Sequence, residues 1–474
     1  MKIAQINSTE AYGGAEMIMR TLTRSLRDTG HEVDWLVGRL HESRPSGSVH
    51  VFQHDAARST WARRCGQWAE SVWRRHGTHR HGRGASRFIR NVLGQPARWW
   101  NVERGHEDFD YPDSVSAVDR IQPAPEVLHF HGLHSNYFDL CALKDLSKHY
   151  SVVVTMHDAW MITGHCAYPG SCTGYQRGCG NCPDLDRFPK IKRDATSYNF
   201  ARKHSIYQNS KIHLVTPSRW LMEVVEAGPM RGAFASRTVI HNGIDTSRFS
   251  PGPKKAARKR IGMEAFDRVV IFNAKNARTN SHKDYDSAYH AVGNYARQHP
   301  NCRILMQVIG EDAASREFNN LSLRFTTVSA ENAVLVDYYR AADVLIHTAR
   351  SENFPTVILE AMSCGMPVIG SDTGGIREQI EPLLISGVTR IEGLTYRDEK
   401  SACGFLVPER DAMGAQRCLE WLWEKPERAP ILSANARLRA ETYFSTERMG
   451  SNYLDLYQQA KSLHSKPEMK DKKV

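Results

Sequence analysis

The sequence lacks a hydrophobic run long enough to cross a bilayer, although hydrophobic residues make up 41% of its 474 positions. A membrane-spanning helix needs about 20 consecutive apolar residues, so the pattern argues against an integral helical membrane protein. The sequence also lacks a repeat of fixed period, and we therefore expect globular domains in place of a repeat array. Its length suits two or three domains of ordinary size.

Two further absences concern the N-terminal region. No secretory signal is evident, because residues 2–7 already form a short strand pattern that reaches a turn at once. We therefore expect a cytoplasmic location. The Gly-x-Gly-x-x-Gly fingerprint is missing too, which counts against a dinucleotide-dependent dehydrogenase. In its place Gly13 and Gly14 follow the strand, and such a pair lets the backbone approach a ligand closely.

Acidic residues are nearly absent from residues 58–100, which contain ten arginines and a single acid, Glu70. The formal net charge of the whole chain is +11. Trp61, Cys65 and Trp68 recur at helical spacing, which predicts a helix with an aromatic stripe. Half of the ten tryptophans fall in this segment: Trp61, Trp68, Trp73, Trp99 and Trp100.

This basic, aromatic segment has three interpretations. A basic helix with an aromatic face suits an anionic membrane surface. Tryptophan stacking on bases with arginine on phosphate would instead suit nucleic acid. The third interpretation is an insertion that packs its tryptophans on its own domain and leaves a solvated basic face. We place membrane docking ahead of nucleic acid, and no nucleic-acid partner is expected.

Short apolar runs alternate with longer helical patterns in both halves of the chain. Because such alternation implies a parallel sheet with crossover helices, we expect two doubly wound α/β halves. Asn242-Gly243 and a Pro/Gly cluster at 251–253 mark a turn and a linker between them. The predicted strands are residues 2–7, 33–37, 127–131, 152–156 and 213–216, then 269–272, 303–309, 343–347 and 367–369.

The predicted domains are 1–240, with an insertion at about 56–105 and a cysteine-bearing loop at 163–183, then 241–440, and a C-terminal segment 441–474. Ligands of open α/β sheets bind outside the C-terminal strand ends, so we expect the site in a cleft between the two halves. The C-terminal segment predicts an amphipathic helix. Its polar, lysine-rich tail from residue 461 onward predicts disorder.

The most informative segment holds Glu352 and Glu360, eight positions apart. Asn353 and Pro355 predict the start of a short helix, and Gly365 predicts its end. The N–H groups and positive dipole of such a helix start form a seat for phosphate. One carboxylate is then placed to hold sugar hydroxyls and the other a ribose. The alternative is a surface helix with two solvated acids.

This segment resembles the E-x7-E signature of the retaining glycosyltransferases of family 4, including the Glu-Ala-Met-x-x-Gly-x-Pro-Val-Ile that follows. The Asn-Gly-Ile-Asp-x-x-x-Phe-x-Pro run at 242–251 is similar to the interdomain segment of that family. The resemblance implies the GT-B fold, in which two Rossmann-like domains face each other across a cleft. It also implies that the helix of the C-terminal segment 441–474 crosses back to the first domain. It covers most of the chain, with residues from about 40 to 125 outside it.

The resemblance also implies roles for individual residues. It assigns Glu352 to orienting the donor sugar and Glu360 to the ribose. Lys283 takes the position of the lysine that neutralises the departing diphosphate, although the usual Lys-Gly has become Lys-Asp. The arginine position stays open between Lys275, which matches by distance from the strand, and Arg278, which matches by charge. The remaining donor-binding residues are implied to be Gly13, Gly14, Asn353, Phe354, Pro355 and Thr356.

Three histidines are candidates for contact with sugar or acceptor. His157 lies in a Thr-x-His-Asp-x-Trp run that resembles the colanic-acid-type exopolysaccharide transferases of the family. The resemblance implies that His157 positions a ligand and does not abstract a proton, with a capping or structural histidine as the alternative. His129 and His131 alternate on a predicted strand and share a face. We expect His131, nearer the C-terminal strand end, to reach the cleft.

Four of the ten cysteines fall together as Cys166-x5-Cys172-x6-Cys179-x2-Cys182. In a cytosolic chain this spacing favours a structural four-thiolate zinc site over disulfides, with four free thiols as the alternative. The same cysteine-bearing loop occurs in the colanic-acid-type subgroup that the chain resembles. Its zinc would staple a loop and would take no part in catalysis.

The sequence thus predicts a metal-independent retaining glycosyltransferase that moves a hexose from a nucleotide sugar to a glycan. The acceptor is expected on a lipid carrier at the inner face of the plasma membrane. No cofactor is expected for catalysis, and Asp184-Leu185-Asp186, which has the D-x-D form of metal-dependent transferases, is interpreted as a turn. The alternatives are a catalytically silent GT-B protein that binds membrane or polyanion, and a nucleotide-sugar epimerase.

Overall fold

Two seven-stranded sheets organise the chain, and each belongs to one of two structural units. The computed structural model describes residues 1–11, 13–41, 48–329 and 332–465. The first unit comprises Met1–Pro217, Leu221–Ile240 and Asn452–Val474, and the second comprises Ser218–Trp220 and His241–Ser451. Within the described ranges, no helix combines the length and the apolar character needed to cross a membrane.

The first unit is built on a parallel sheet with the strand order β3-β2-β1-β4-β5-β6-β7. Its strands are β1 Lys2–Thr9, β2 Glu32–Arg39, β3 Val49–Val51, β4 Val127–His131, β5 Ser151–Thr155, β6 Ile212–Thr216 and β7 Ser236–Val239. Its helices are α1 Gly14–Asp28, α2 His54–Ala57, α3 Thr60–His76, α4 Arg80–Arg87, α5 Pro96–Glu103, α6 Ser116–Asp119, α7 Ala142–His149, α8 Thr196–Gln208 and α9 Arg219–Glu226, which begins in the second unit. A π-helical segment, Phe88–Leu93, joins α4 to the turn before α5, and 3-10 turns occur at Trp160–Ile162, Gly174–Arg177 and Pro229–Ala233.

The second unit has the strand order β10-β11-β9-β8-β12-β13-β14, parallel except for β10. Its strands are β8 Arg268–Asn273, β9 Ile304–Ile309, β10 Arg316–Phe318, β11 Leu321–Thr326, β12 Val344–His347, β13 Val368–Ser371 and β14 Gly404–Val407. Its helices are α10 Lys254–Arg260, α11 Tyr285–Gln298, α12 Val334–Ala341, α13 Thr356–Ser363, α14 Ile376–Gln379, α15 Ala412–Glu424 and α16 Arg428–Tyr443. The last helix, α17 Thr446–Ser465, starts in the second unit and continues into the first.

Continuous β-branched runs explain why both sheets are parallel and buried. In β5 the consecutive residues Val152, Val153 and Val154 are all fully buried, so both faces of the strand are covered. Parallel sheets flanked by crossover helices need this pattern, because neither face meets water. The C-terminal ends of the strands stay free of such packing and carry the polar residues described below.

The predicted α/β fold with two doubly wound sheets is confirmed, and all nine predicted strands overlap observed ones. The unpredicted strands are β3, β7, β10, β11 and β14, of which all but β11 lie at sheet edges. Edge strands such as β10, which is fully exposed, leave no apolar run in the sequence. The predicted disordered tail is wrong for residues 461–465, which belong to α17, while 466–474 lie outside the described residues.

The basic insertion forms its own small helical layer, and its tryptophans point outward. Its core consists of Cys65, Ala69 and Ile89, with Val72 packed against them. The core face of α3 is therefore made of small residues, offset from the tryptophan stripe. The aromatic residues left exposed by 46 to 61% are Trp61, Trp68, Trp73, Phe88 and Trp100. The interpretation that the insertion packs its tryptophans on its own domain is thus wrong for these residues.

A buried ion pair joins α8 to the loop between α5 and α6. Lys203 is fully buried, and its ammonium lies 3.1 Å from Glu107, donates to the Trp160 carbonyl at 2.7 Å and faces the Trp160 ring at 4.1 Å. Burial lowers the pKa of Lys203 and raises the pKa of Glu107, against their mutual attraction. Each group thus depends on the other for its burial, because a lone buried charge is costly.

We predict that Lys203→Met lowers the free energy of unfolding of the protein by about 3–5 kcal/mol, because Glu107 is left without its cation. The double variant Lys203→Met/Glu107→Gln should recover part of that loss. Chemical denaturation followed by circular dichroism measures both changes. Lys148→Met, at an exposed pair with Asp145, is the control and should leave the curve unchanged. Equal stability of Lys203→Met and wild type would contradict the prediction.

Candidate functional site

The loop between β12 and α13 holds a carboxylate surrounded by positive charge. Glu352 accepts a hydrogen bond from the Lys283 ammonium, and its Oε1 lies 3.4 Å from His347 Nε2. Burial opposes ionisation of Glu352, but Lys283 and His347 outweigh it and bring the pKa of Glu352 to about 2. The side chain of Glu352 keeps 12% of its surface exposed. The site therefore presents an ionised, accessible carboxylate at neutral pH.

The aspartate after Lys283 explains the departure from the usual Lys-Gly. Asp284 has a left-handed backbone with φ of +49°, a conformation that favours glycine but that aspartate tolerates. Its carboxylate accepts from Arg350 at 2.6 Å and from Ser287 at 2.7 Å, and its carbonyl accepts from Thr348 at 2.7 Å. Asp284 thus lacks the conformational freedom of glycine, but its hydrogen bonds fix the loop that carries Lys283.

The second glutamate, Glu360, lies inside α13 and is buried. Its Oε2 accepts from the Tyr339 hydroxyl at 2.6 Å, and that hydroxyl accepts from the Asn273 amide at 2.7 Å. Burial raises the pKa of Glu360, although the Tyr339 hydrogen bond and the Arg248 charge act in the opposite direction. Neither Tyr339 nor Asn273 was found from the sequence, since nothing in their spacing signals a contact with Glu360.

The start of α13 differs in detail from the prediction. Pro355 occupies the N-cap position, so the predicted capping by Asn353 is wrong, and Thr356 is the first helical residue. The Asn353 amide oxygen instead accepts from the Ser218 hydroxyl at 2.5 Å. The Asn242 amide donates to the Phe354 carbonyl at 3.1 Å. Residues outside the loop thus hold the segment that precedes α13 in place.

Two glycines beyond β13 were missed by the sequence interpretation. A side chain at Gly374 would collide with the Glu352 carbonyl, and one at Gly375 with the Asn353 carbonyl. Gly374 also has a φ of +55°. The Glu352 loop can occupy its position only because both glycines lack a side chain.

The two candidates for the diphosphate-binding arginine position, Lys275 and Arg278, have different environments in the structure. Arg278 is committed to Glu311, with Nη2 and Oε1 2.7 Å apart and a backbone N–H bond of 2.9 Å to the same carboxylate. Its guanidinium also lies 4.8 Å from the centroid of the Phe325 ring. Lys275 is exposed and has no acidic partner among the residues that the structure describes. Its charge is therefore available to an incoming anion.

In the first unit a line of histidines occupies the C-terminal end of the sheet. His131 Nδ1 and His157 Nε2 are 3.1 Å apart, and the rings of His129 and His131 lie 4.1 Å apart on one strand face, as expected. Burial lowers the pKa of His129 to about 3 and that of His157 to about 4, and it places the pKa of His131 well below 6.5. All three imidazoles are thus neutral at neutral pH.

Helix α17 contacts this line of histidines at His129, through two tyrosines. The Tyr457 hydroxyl lies 2.7 Å from His129 Nδ1, and the Tyr453 hydroxyl lies 2.8 Å from the Thr155 hydroxyl, itself 2.7 Å from His129 Nε2. His129 is therefore a structural residue. His131 is fully buried as well, and its described contact is with His157.

One further histidine was missed by the sequence interpretation. His134 Nε2 lies 2.7 Å from the carboxylate of Asp158, the residue after His157. Burial lowers the pKa of His134, but the attraction of Asp158 outweighs it and leaves that pKa raised. The pKa of Asp158 is lowered in spite of its burial, because His134 stabilises its carboxylate. The pair places a hydrogen-bonded His–Asp dyad beside the neutral histidines.

The glycine pair before α1 has one sterically restricted member. Gly13 is the N-cap residue of α1, and a side chain there would collide with the Glu16 carboxylate. Gly14, the first helical residue, has open space where a side chain would project. Its role in close approach to a ligand stays a prediction, and Tyr12 between Ala11 and Gly13 lies outside the described residues.

The predicted zinc site at the four clustered cysteines stays a prediction. Within the described residues, no three or more His, Cys, Asp or Glu side chains are arranged to hold a metal ion. The Gly164 N–H donates to the Cys179 sulfur at 3.2 Å, and His165 Nε2 lies 3.4 Å from the Cys182 sulfur. Burial raises the pKa of the Cys179 thiol to about 11.

The D-x-D sequence after the cysteine loop is a turn, as predicted. The Asp186 N–H donates to the Asp184 carboxylate at 3.1 Å, and that carboxylate also pairs with Arg187 at 3.2 Å. Both acids are thereby engaged in local contacts.

Comparison with known proteins places these features in a family. The family model described as Glycosyltransferase Family 4 matches residues 12–248, and the one described as Glycosyl transferases group 1 matches residues 267–439. The chain is 26% identical over 275 residues to the putative colanic acid biosynthesis glycosyl transferase WcaC of Escherichia coli (strain K12), over 54% of this chain and 62% of that protein. It is 33% identical over 201 residues to a D-inositol 3-phosphate glycosyltransferase of Geodermatophilus obscurus, over 39% of this chain and 43% of that protein. The chain therefore spans less than two thirds of the length of these relatives.

Solved structures share the architecture over almost the whole chain. The crystal structure of Anabaena Alr3699/HepE in complex with UDP-glucose is similar with a TM-score of 0.59 and 14% identity, covering 97% of this chain and 100% of that one. At this identity the likeness shows the fold alone, which is GT-B. With family models matching both halves, this chain belongs to glycosyltransferase family 4.

Proposed function

We propose that the protein is a retaining glycosyltransferase that moves a hexose from a nucleoside-diphosphate sugar to a glycan. The observation that carries the proposal is the Glu352–Lys283 pair before α13, with Glu360 eight positions further along the same segment. An ionised carboxylate suits the hydroxyls of a donor sugar, and the adjoining ammonium suits its phosphates. Family membership makes this combination the expected donor site.

In the proposed reaction the bond between the sugar C1 and the diphosphate oxygen breaks, and a bond to an acceptor hydroxyl oxygen forms on the same face. The negative charge that develops on the leaving diphosphate is stabilised by Lys283, by Lys275 and by the N–H groups at the start of α13. A diphosphate oxygen takes the acceptor proton, so the protein supplies no general base. No metal ion is assigned to this step.

His157 fits a positioning role in this scheme. Burial holds its pKa at about 4, which makes the imidazole a weak base for an alcohol proton at neutral pH. A neutral imidazole can still donate or accept one hydrogen bond to a sugar hydroxyl. The neighbouring contact with His131 fixes the ring that would make this bond.

The relatives suggest where to look for the substrates. WcaC is named for colanic acid biosynthesis, which points to a cell-surface or exopolysaccharide glycan as the acceptor. The HepE structure contains UDP-glucose, so UDP-hexoses are the first donors to examine. A lipid-linked acceptor would place the enzyme at the cytoplasmic face of the plasma membrane.

Peripheral membrane binding through the insertion is part of this proposal. Five aromatic side chains of the insertion are exposed, and the structure shows no acidic partner within the described residues for Arg63, Arg64, Arg75, Arg80, Arg83 and Arg87. Exposed tryptophans beside unpaired arginines suit the interface of an anionic bilayer. A silent scaffold would bind membrane in the same way but would show no transfer, and an epimerase would convert donor without acceptor.

We predict that Glu352→Gln reduces transfer by about a hundredfold or more, because the donor sugar and Lys283 lose their carboxylate. A panel of nucleotide sugars, assayed for transfer and for donor hydrolysis, measures the change. Glu264→Gln, at an exposed glutamate outside the site, serves as the matched control. Thermal melting should show both variants folded, and full activity in Glu352→Gln would refute its assignment.

We predict that Lys275→Ala weakens nucleoside-diphosphate binding by about tenfold, since a charge-assisted bond to phosphate is lost. Arg278→Ala should have a smaller effect, because its charge is already paired with Glu311. Isothermal titration with UDP and GDP distinguishes the two. The reverse order of effects would assign the arginine position to Arg278.

We predict that Trp61→Ala/Trp68→Ala lowers the affinity for vesicles that contain anionic phospholipid by at least about tenfold, because both indoles leave the interface. Co-sedimentation measures binding, and neutral vesicles should bind weakly. Phe318→Ala removes an aromatic of comparable exposure from the second unit and should bind like wild type. Tight binding to single-stranded nucleic acid with no binding to vesicles would favour the nucleic-acid interpretation instead.

A further inference from the structure

Three adjoining cavities run through the first unit from the insertion to the histidine end of the sheet. The first, of about 770 Å³, lies along α3. The second, of about 610 Å³, lies between the π-helical segment and α5, and the third, of about 430 Å³, lies beside His134 and Trp160. The first and second share Asp55, Arg90 and Gln95 in their walls. The second and third share Val102, Asp108 and Lys192.

The first cavity is strongly basic. Five arginines and two acids line it, and Arg58 is also paired with Asp110 at 3.0 Å, which leaves an excess of two positive charges over these three acids. The arginines are Arg58, Arg63, Arg74, Arg75 and Arg90, and the lining acids are Asp55 and Glu70. Glu70 is shared between Arg74 at 3.2 Å and Arg90 at 3.6 Å. Arg63 and Arg75 have no acidic partner in the part of the chain that the structure describes. A cavity with this balance suits a ligand group that carries two or three negative charges close together.

The third cavity has a different character. The rings of Trp160 and Phe188 lie 6.0 and 5.7 Å from that of His134, and Phe188 is 57% exposed. Aromatic walls with a few polar groups are typical of sites for small organic ligands. The His134–Asp158 dyad adjoins His157 in the sequence, so this cavity lies next to the proposed reaction chemistry.

One helix connects the basic cavity with the exposed tryptophans. On α3, Trp61 and Trp68 are seven positions apart and share one side, while Arg63, Glu70 and Arg74 share another. A helix with its side chains is only about 10–12 Å across, so tryptophans seated in the interface of a bilayer would bring the arginine cavity within reach of the lipid headgroups. A charged headgroup could then enter the cavity while its lipid stays in the membrane.

We propose that this groove binds the lipid-linked acceptor, with a diphosphate headgroup in the arginine cavity and its glycan extending toward Trp160. The proposal rests on the transferase function given above. It goes further by naming the acceptor class, a diphosphate carried on a lipid, and the residues that hold it. The insertion is then the acceptor-binding element of the protein as well as its membrane contact.

The test is binding of farnesyl diphosphate to the full chain in detergent, with saturating UDP present to fill the donor site. Wild type should bind, and Arg63→Gln/Arg75→Gln should bind at least about tenfold more weakly because two charge-assisted bonds are lost. Arg177→Gln/Arg231→Gln removes the same charge from exposed positions of the first unit outside the insertion and the cavities, and should bind like wild type. Both arginine pairs are exposed, and thermal melting verifies that the variants fold.

Several outcomes would overturn the proposal. They are the absence of binding in wild type, equal binding in Arg63→Gln/Arg75→Gln, and equal weakening in the control pair. Inorganic pyrophosphate that binds as tightly as farnesyl diphosphate would show a site for free phosphate and would exclude the lipid. UDP binding in a separate titration reports on the donor site, so its absence would count against the proposed function and not against the groove.

Discussion

A largely buried carboxylate that stays ionised is the constraint on which the candidate site of the second unit depends. Burial alone would raise the pKa of Glu352, and the ammonium of Lys283 and the imidazole of His347 bring it to about 2. Lys283 can reach it because Asp284, in a left-handed conformation, fixes the loop through Arg350 and Thr348. The loop that carries Lys283 and the loop that carries Glu352 are therefore held by one network.

In the first unit, burial leaves the candidate site residues uncharged, which is the opposite of the ionised Glu352 in the second unit. Its histidines lie deep at the end of the sheet, and burial keeps them neutral instead of pairing them with acids. The exception is His134, which pairs with the carboxylate of Asp158. In the proposed function, the carboxylate and ammonium of the second unit serve the donor, and the neutral histidines of the first unit serve the sugar or the acceptor.

The core of the insertion is made of small and aliphatic side chains, and most of its tryptophans lie outside that core. Cys65, Ala69 and Ile89 suffice to hold α3 against the π-helical segment, so the tryptophans are not needed for packing. Their exposure would be unfavourable in water unless another surface covers them. Under the proposed membrane binding, the arginines beside them would make an anionic bilayer the complementary surface.

Sequence alone determined the α/β class, nine of the strands, the E-x7-E segment and Lys283, because each depends on local periodicity or on residues close together in the chain. It also located the insertion, through its charge and its tryptophans. Only the tertiary structure decided that Arg278 is committed to Glu311, that Tyr339 and His347 bind the two glutamates, and that four tryptophans of the insertion are exposed. Those outcomes depend on contacts between residues far apart in sequence and on which side of a helix finds a partner, and a single sequence carries no record of either.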